Sequence, residues 1–302
     1  MMSFFASNQP LFDFFLISLG IAFSQQIVLR AGVFSIASAG FVALGAYCTG
    51  ILVTKLGWHG FPASLTGMAL GAFMGFLLSV PLARLRGVYQ AIATLAFVEI
   101  VIAALYYFEP LTGGAVGLSG IPKLVNTWHL LIAVAVVIYL MYAIGNSIIG
   151  RSFDALRQDE TVAACLGVSI RRYHALAFIL SGAIAGFFGG MQALYFYTVS
   201  PEQMGFAFVV SILTAIVLGG RTSLLGPILG VAILSLLPEI ARPLAENRLM
   251  LHGLILIVIT IFLPNGVGDS LMNMLRRRKM RRIEASGANA MGRTKEVGNG
   301  AA

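Results

Sequence analysis

The sequence predicts an all-α polytopic membrane protein of about nine transmembrane helices, roughly eight to ten, with its N-terminus outside and its C-terminus in the cytoplasm. Three observations carry that expectation. Hydrophobic residues fill 58% of the 302 positions and charged ones only 11%, whereas a soluble domain carries roughly a quarter charged residues. Apolar runs of roughly 17 to 25 residues, the length that crosses a hydrocarbon core as helix, recur along the chain. The Lys and Arg residues gather in alternate connections between those runs, which sets the orientation.

Taken in order, hydropathy and turn residues put spans near 11–29, 33–56, 61–83, 88–108, 128–146, 174–196, 204–219, 223–241 and 249–264. The first run, from Leu11, lacks a basic leader and a clear small-residue cleavage site, so it reads as a retained span and not a signal peptide. The run at 204–219 is short, and only Gly220, Arg221 and Thr222 separate it from the next, so one of the two can be re-entrant or broken. Gly67, Gly71 and Gly75 recur every four residues in the third span, as do Gly182, Gly186 and Gly190 in the sixth. Each series is a stripe on one helix face. In lipid such stripes let backbones approach closely, and packing is a simpler reading of them than substrate contact. The pattern Gly-Gly-x-x-x-Leu-x-Gly occurs at Gly113 to Gly120 and again at Gly219 to Gly226, on opposite sides of the membrane in this topology. Inverted repeats are common in transporters, but one short match in a glycine-rich chain is a weak sign of one.

The net charge of +8 comes mostly from the tail beyond Pro264, where eight Lys and Arg face Asp269, Glu284 and Glu296. Its cluster from Arg276 to Arg282 fits a juxtamembrane anchor better than a nucleic-acid footprint. With the C-terminus in the cytoplasm, alternation puts Arg30, Arg84, Arg86, Arg151, Arg157, Arg171, Arg172, Arg221 and the tail cations inside. Lys55, Lys123, Arg242 and Arg248 fall outside, a sixteen to four bias toward the cytoplasm. The chain therefore divides into an external segment 1–10, a membrane region 11–264 with a cytoplasmic loop 147–173, and a basic tail 265–302 that reads as disordered. Cys48, in an apolar span, and Cys165, in the loop, are far apart and point to no disulfide or metal site. No phosphate-binding Gly-x-x-x-x-Gly-Lys-Ser/Thr loop is present, so any ATP hydrolysis belongs to another chain.

The loop is the polar exception, with seven charged residues between Arg151 and Arg172. Ser152 is a plausible N-cap for a first short helix, and Asp159 for a second through Glu160, Ala163 and Ala164 that Gly167 ends. Ser169 can cap the next span. By itself this is a solvated surface helix. However, Glu160-x-x-Ala163-Ala164-x-x-Gly167 resembles the cytoplasmic coupling segment of ABC importer permeases. The similarity extends over nearly the whole chain and is strongest to the M-type permease of branched-chain amino acid importers, the LivM type. It is also carried by the stretches Phe34 to Tyr47, Leu85 to Glu99, Leu111 to Pro122 and Val217 to Pro227. Two positions depart from that pattern: Ser38 stands where a histidine is common, and Arg221 where a small residue is usual.

The resemblance implies a non-catalytic permease domain over 11–264, working by alternating access in the bacterial inner membrane and needing no cofactor or metal. It implies a second, LivH-like permease subunit, two ATP-binding subunits and an external substrate-binding protein as partners, with membrane lipid around them and no nucleic acid. Arg157, Asp159, Glu160, Ala163, Ala164 and Gly167 would then meet the ATPase, and Ala163 and Ala164 would be small so as to fit its groove.

Glu99, Thr94, Gly113, Gly114, Gly219 and Gly220 are candidates for the translocation path or for helix packing. Glu99 lies about eleven residues into its span and hence about 16 Å deep, where an ionisable group costs about 2.5–3.5 kcal/mol to insert. An interhelical hydrogen bond with Tyr89 or Thr94 nearby, a contact to a substrate ammonium, and a proton relay all fit it. Other function classes stay open: an ion-gradient-driven transporter, which would normally need more intramembrane charges; an ABC permease for urea, amides or ribose; and a membrane scaffold, which leaves the polar loop without a role.

Overall fold

A computed structural model describes residues 2–221 and 223–240. The expected ninth span at 249–264, the cations Arg242 and Arg248 and the tail from 265 lie outside the described residues. The described chain runs α1 (Met2–Arg30), α2 (Ser38–Leu56), α3 (Gly60–Leu82), α4 (Val88–Tyr107), α5 (Glu109–Thr112), β1 (Leu118–Ser119), α6 (Thr127–Asn146), α7 (Ile148–Gln158) and α8 (Glu160–Cys165). It continues with α9 (Ile170–Phe196), β2 (Thr198–Val199), a 3₁₀ turn at Glu202–Met204, α10 (Phe206–Gly219) and α11 (Leu225–Ile240). Seven of these segments are long and apolar enough to cross a membrane: α2, α3, α4, α6, α9, the part of α1 from Gln9, and Glu202–Gly219. The eighth expected span contains the shorter apolar stretch Leu225–Leu236.

The helices sort into an inner and an outer set. About seven-tenths of the apolar window of α1 is buried, and α9 and α2 follow at 67% and 61%, against 28% for α3 and 33% for both α4 and α6. The glycine stripes of α3 and α9 meet each other. A Cβ on Gly71 would stand 2.1 Å from the Gly182 carbonyl oxygen, and one on Gly182 equally close to that of Gly71. Gly67 and Gly45 make the same kind of approach to the backbone of Gly186 from α3 and α2. Backbone thus touches backbone along three helices, the source of cohesion open to a protein dissolved in hydrocarbon. Phe41, Phe178 and Phe188 fill the remaining space, each almost wholly buried.

Polar contacts divide the bundle into two ends. At one end β1 pairs antiparallel with β2, Leu118 opposite Val199. There too Gln9 donates to the Thr127 hydroxyl (3.0 Å) and Lys55 to the Pro110 carbonyl (2.6 Å). At the other end Arg30 pairs with Asp154, Arg86 with Glu160, and the Gln26 amide donates to the Ser223 and Arg221 carbonyls at 2.7 and 3.4 Å. The described helices therefore alternate direction as hydropathy expects.

Candidate functional site

The polar loop folds as two helices pinned to the bundle. α7 begins earlier than the sequence reading had it: Ser147, not Ser152, is the N-cap, its hydroxyl accepting from the Gly150 N–H at 3.4 Å. Ser152 lies inside α7 and is buried along with Phe153 and Leu156. The apolar pair Ile148 and Ile149 forms the first turn, so the helix starts where the preceding span ends. On the side of α7 facing α1, the Arg30 guanidinium grips Asp154 at two points, Nε to Oδ1 at 3.3 Å and Nη2 to Oδ2 at 3.1 Å. Arg157 approaches the same carboxylate at 3.9 Å. This planar two-point geometry is the strong form of a charge-assisted bond. The backbone of Gly32, in the α1–α2 corner, lies against Arg157: a Cβ there would stand 3.0 Å from the Arg157 Cα.

α8 is built from local capping chemistry. The Asp159 carboxylate accepts from the Thr161 and Val162 N–H groups at 2.7 and 3.0 Å. Those two bonds, Val162 first, hold its pKa below the usual carboxylate range. At the far end the Gly167 N–H donates to Ala164 and the Val168 N–H to Ala163, both at 3.0 Å. This is the paired closure of a left-handed helix stop, and Gly167 has the φ of +85° that it needs, with nothing within 4 Å of a Cβ position. Ser169 takes the N-cap position of α9 through its backbone carbonyl, which accepts from Tyr173 at 3.2 Å, and its side chain makes no capping bond. Glu160 pairs with Arg86 in the α3–α4 corner at 3.3 Å.

The two small residues of α8 point to different places. Ala163 is 2% exposed, so its size is set by the protein's own interior and not by a partner's groove. Ala164 is exposed, and Val162 and Leu166 beside it are more than half exposed, with Cys165 open between them. A small apolar knob with a polar rim thus projects at the Arg-rich end. Periodicity within six residues is too short to have shown Val162 and Leu166 as its tip.

The remaining candidates do not gather into one site. Thr94 is buried, accepts from the Ile36 N–H at 3.1 Å and donates to the Gln90 carbonyl at 2.9 Å, which seats α4 against the start of α2. Glu99 lies on the opposite, exposed face of α4 and makes no bond to Thr94 or Tyr89; within the described residues it has no hydrogen-bond or ion-pair partner. Gly113 and Gly114 shape the loop before β1, where the Gly117 backbone packs against Val199 and Ser200. Gly219 and Gly220 lie at the opposite end and close the α10–α11 hairpin: a Cβ on Gly219 would stand 1.9 Å from the Gly226 carbonyl oxygen, and Gly220 has φ +106°. The two departures from the family pattern also have places. The Ser38 hydroxyl donates to the Gln25 side chain at 2.6 Å, and the Arg221 carbonyl receives Gln26.

Sequence reasoning missed a cavity of about 490 Å³ between α1, α9, α10 and α11, within the range of small-molecule pockets. Phe14, Phe196 and Phe208 supply apolar walls, while Ser18, Gln192 and Gln203 add polar points. Among the described residues, the side-chain amide oxygen of Gln192 is buried without a hydrogen-bond partner.

Comparison with known proteins agrees with the architecture. A family model described as branched-chain amino acid transport system, permease component, matches residues 11–263. The chain is 32% identical over 288 residues to the high-affinity branched-chain amino acid transport system permease protein LivM of Escherichia coli K12, covering 83% of this chain and 67% of that one. LivM of Salmonella typhimurium matches equally. LivH of E. coli K12, a permease protein of the same transport system, is 27% identical over 135 residues, 44% of this chain and 42% of its own length. No solved structure matches significantly. By the extent of the family match and the level of identity, this chain belongs to the family of branched-chain amino acid transport permease components.

Proposed function

We propose that this permease subunit forms one half of the translocation path of an ATP-driven importer for branched-chain or related apolar amino acids. It works by alternating access, in the bacterial inner membrane, with a second LivH-like permease beside it. Substrate arrives from an external binding protein, and two separate ATPase subunits dock at the Arg-rich end. The observation that carries the coupling part is α8, a six-residue helix capped at both ends that offers Val162, Ala164 and Leu166 outward. Its ties are what a coupling device needs. α7 in front of it is fastened to α1 by Arg30 and Asp154, α9 follows after a four-residue gap, and Glu160 reaches Arg86 at the foot of α4. A displacement of α8 would therefore be passed to three spans at once and not absorbed in a loose loop.

Charge placement supports the orientation. Among the described residues, the end carrying α7 and α8 holds Arg30, Arg84, Arg86, Arg151, Arg157, Arg171, Arg172 and Arg221, and the opposite end holds Lys55 and Lys123. That asymmetry supports a cytoplasmic position for the first end and an external N-terminus. Co-expression with the ATP-binding subunits and the second permease tests the reading. A stable complex that consumes ATP and takes up leucine supports it, and gradient-driven uptake by this chain alone replaces it.

A further inference from the structure

Among the described residues, α4 is touched along one side only. Gln90, Thr94, Val98, Val101, Ile102 and Leu105 form that buried side, which packs against α2. The opposite side is a stripe of exposed residues at spacings of four and three: Ile92, Ala96, Glu99, Ala103 and Tyr106. Ile92 and Tyr106 are at home in lipid. Glu99 is not, because it is the twelfth of the twenty residues of the span Val88–Tyr107 and no described group satisfies it. An ionisable side chain at that depth faces protein or water and not acyl chains. The outer faces of α3 and α6 lack such a group at mid-span: α3 exposes Phe73, Phe76 and Val80, and α6 exposes Ile132, Val136 and Tyr139. Ala96 and Ala103, one turn to each side of Glu99, leave room for another backbone to come close.

We propose that this stripe is the seam on which the second permease subunit docks, with a hydrogen-bond donor of that subunit meeting the Glu99 carboxylate. The occupant is a permease of the same type because only a membrane-spanning partner covers a stripe running the length of a span. The importer reading above, on which this rests, supplies one. The seam also places the foot of α4, joined through Arg86 to α8, directly beside the neighbouring subunit.

A photoreactive diazirine residue at Ala96 or Ala103, with Phe73 and Val136 as lipid-facing controls, tests the seam in the assembled importer in native membranes. Irradiation at Ala96 and Ala103 is expected to give adducts with the second permease, and at Phe73 and Val136 with lipid. Lipid adducts from Ala96 and Ala103, or adducts with residues 249–264 of the same chain or with a second copy of it, overturn the proposal. Co-purification of the unmodified chain is read separately. A complex that contains the second permease but gives no adduct at the stripe sinks the seam alone, whereas a chain that never retains a second permease sinks the importer reading. As a second variant, Glu99→Leu is expected to lose the second permease on purification while its own membrane level holds, and Glu99→Gln to keep it. Full retention with Leu contradicts the seam.

Discussion

Arg30 and Asp154 are joined by a two-point ion pair, 3.1 and 3.3 Å, that fastens the end of α1 to the middle of α7 across 124 residues of sequence. The arginine side chain is 15% exposed and the aspartate 39%, so solvent weakens the pair without erasing it. A double-mutant cycle of Arg30→Ala and Asp154→Ala is expected to give a coupling of about 1 kcal/mol. Thermal unfolding in detergent measures it. Additive single effects would mean that the pair does not hold α7 in place.

The meeting of Gly71 with Gly182 leaves no room for a side chain. Gly71→Val is expected to destabilise by about 3 kcal/mol or more through overpacking, and Gly71→Ala by about 1–3 kcal/mol. Gly205→Ala is the control, since a Cβ there meets only the Glu202 carbonyl oxygen at 3.3 Å. Folded protein recovered from membranes reads the series, and equal recovery of all three variants would rule out the tight seam between α3 and α9.

The Asp159 cap carries a pH signature. Its carboxyl is held below the usual range in the folded protein, chiefly by the Val162 and then the Thr161 N–H. The cap therefore contributes fully above the unfolded-state pKa and is lost as pH falls through the lower folded-state value. Hydrogen exchange at the Thr161 and Val162 amides should show protection falling only on acidification below the ordinary carboxylate range. Asp159→Asn, which caps without titrating, should flatten that response.

Orientation is checked with reporters fused near Ser3 and after Arg282. Activity outside for the first and in the cytoplasm for the second is expected. If both report one side, the number of spans is even and the ninth span at 249–264 needs revision.

What could be read from the sequence was what is local. Asp159 and Gly167 were legible because capping and a left-handed stop are decided within three or four residues, and the glycine stripes because helical spacing alone marks them. Depth was legible for Glu99, but the face of α4 that carries it was not: a span apolar all round has no periodicity to show which side is buried. For the same reason nothing in the sequence separates Ala163 from Ala164, although the fold buries the first and exposes the second. The start of α7 was missed because Ile148 and Ile149 continue the hydropathy of the preceding span. The cavity beside Gln192 has no local signal at all, since four helices distant in sequence have to meet before it exists.

Coupling through α8 is tested most directly by uptake. The importer, with both permeases, the ATPase subunits and the binding protein, is reconstituted into vesicles, with Leu166→Glu and Gly167→Val compared against the unmodified chain. Labelled leucine is supplied on the binding-protein side and ATP on the other. Both variants should reach normal permease levels, because Leu166 is 77% exposed and the strain that Val brings to the φ of +85° at Gly167 falls at the end of α8, outside the membrane spans. Both should nevertheless lose retained ATPase and ATP-dependent uptake together. Uptake and ATPase retention at the unmodified level in both would contradict the account, and α8 would then be a solvated surface helix with no part in driving transport.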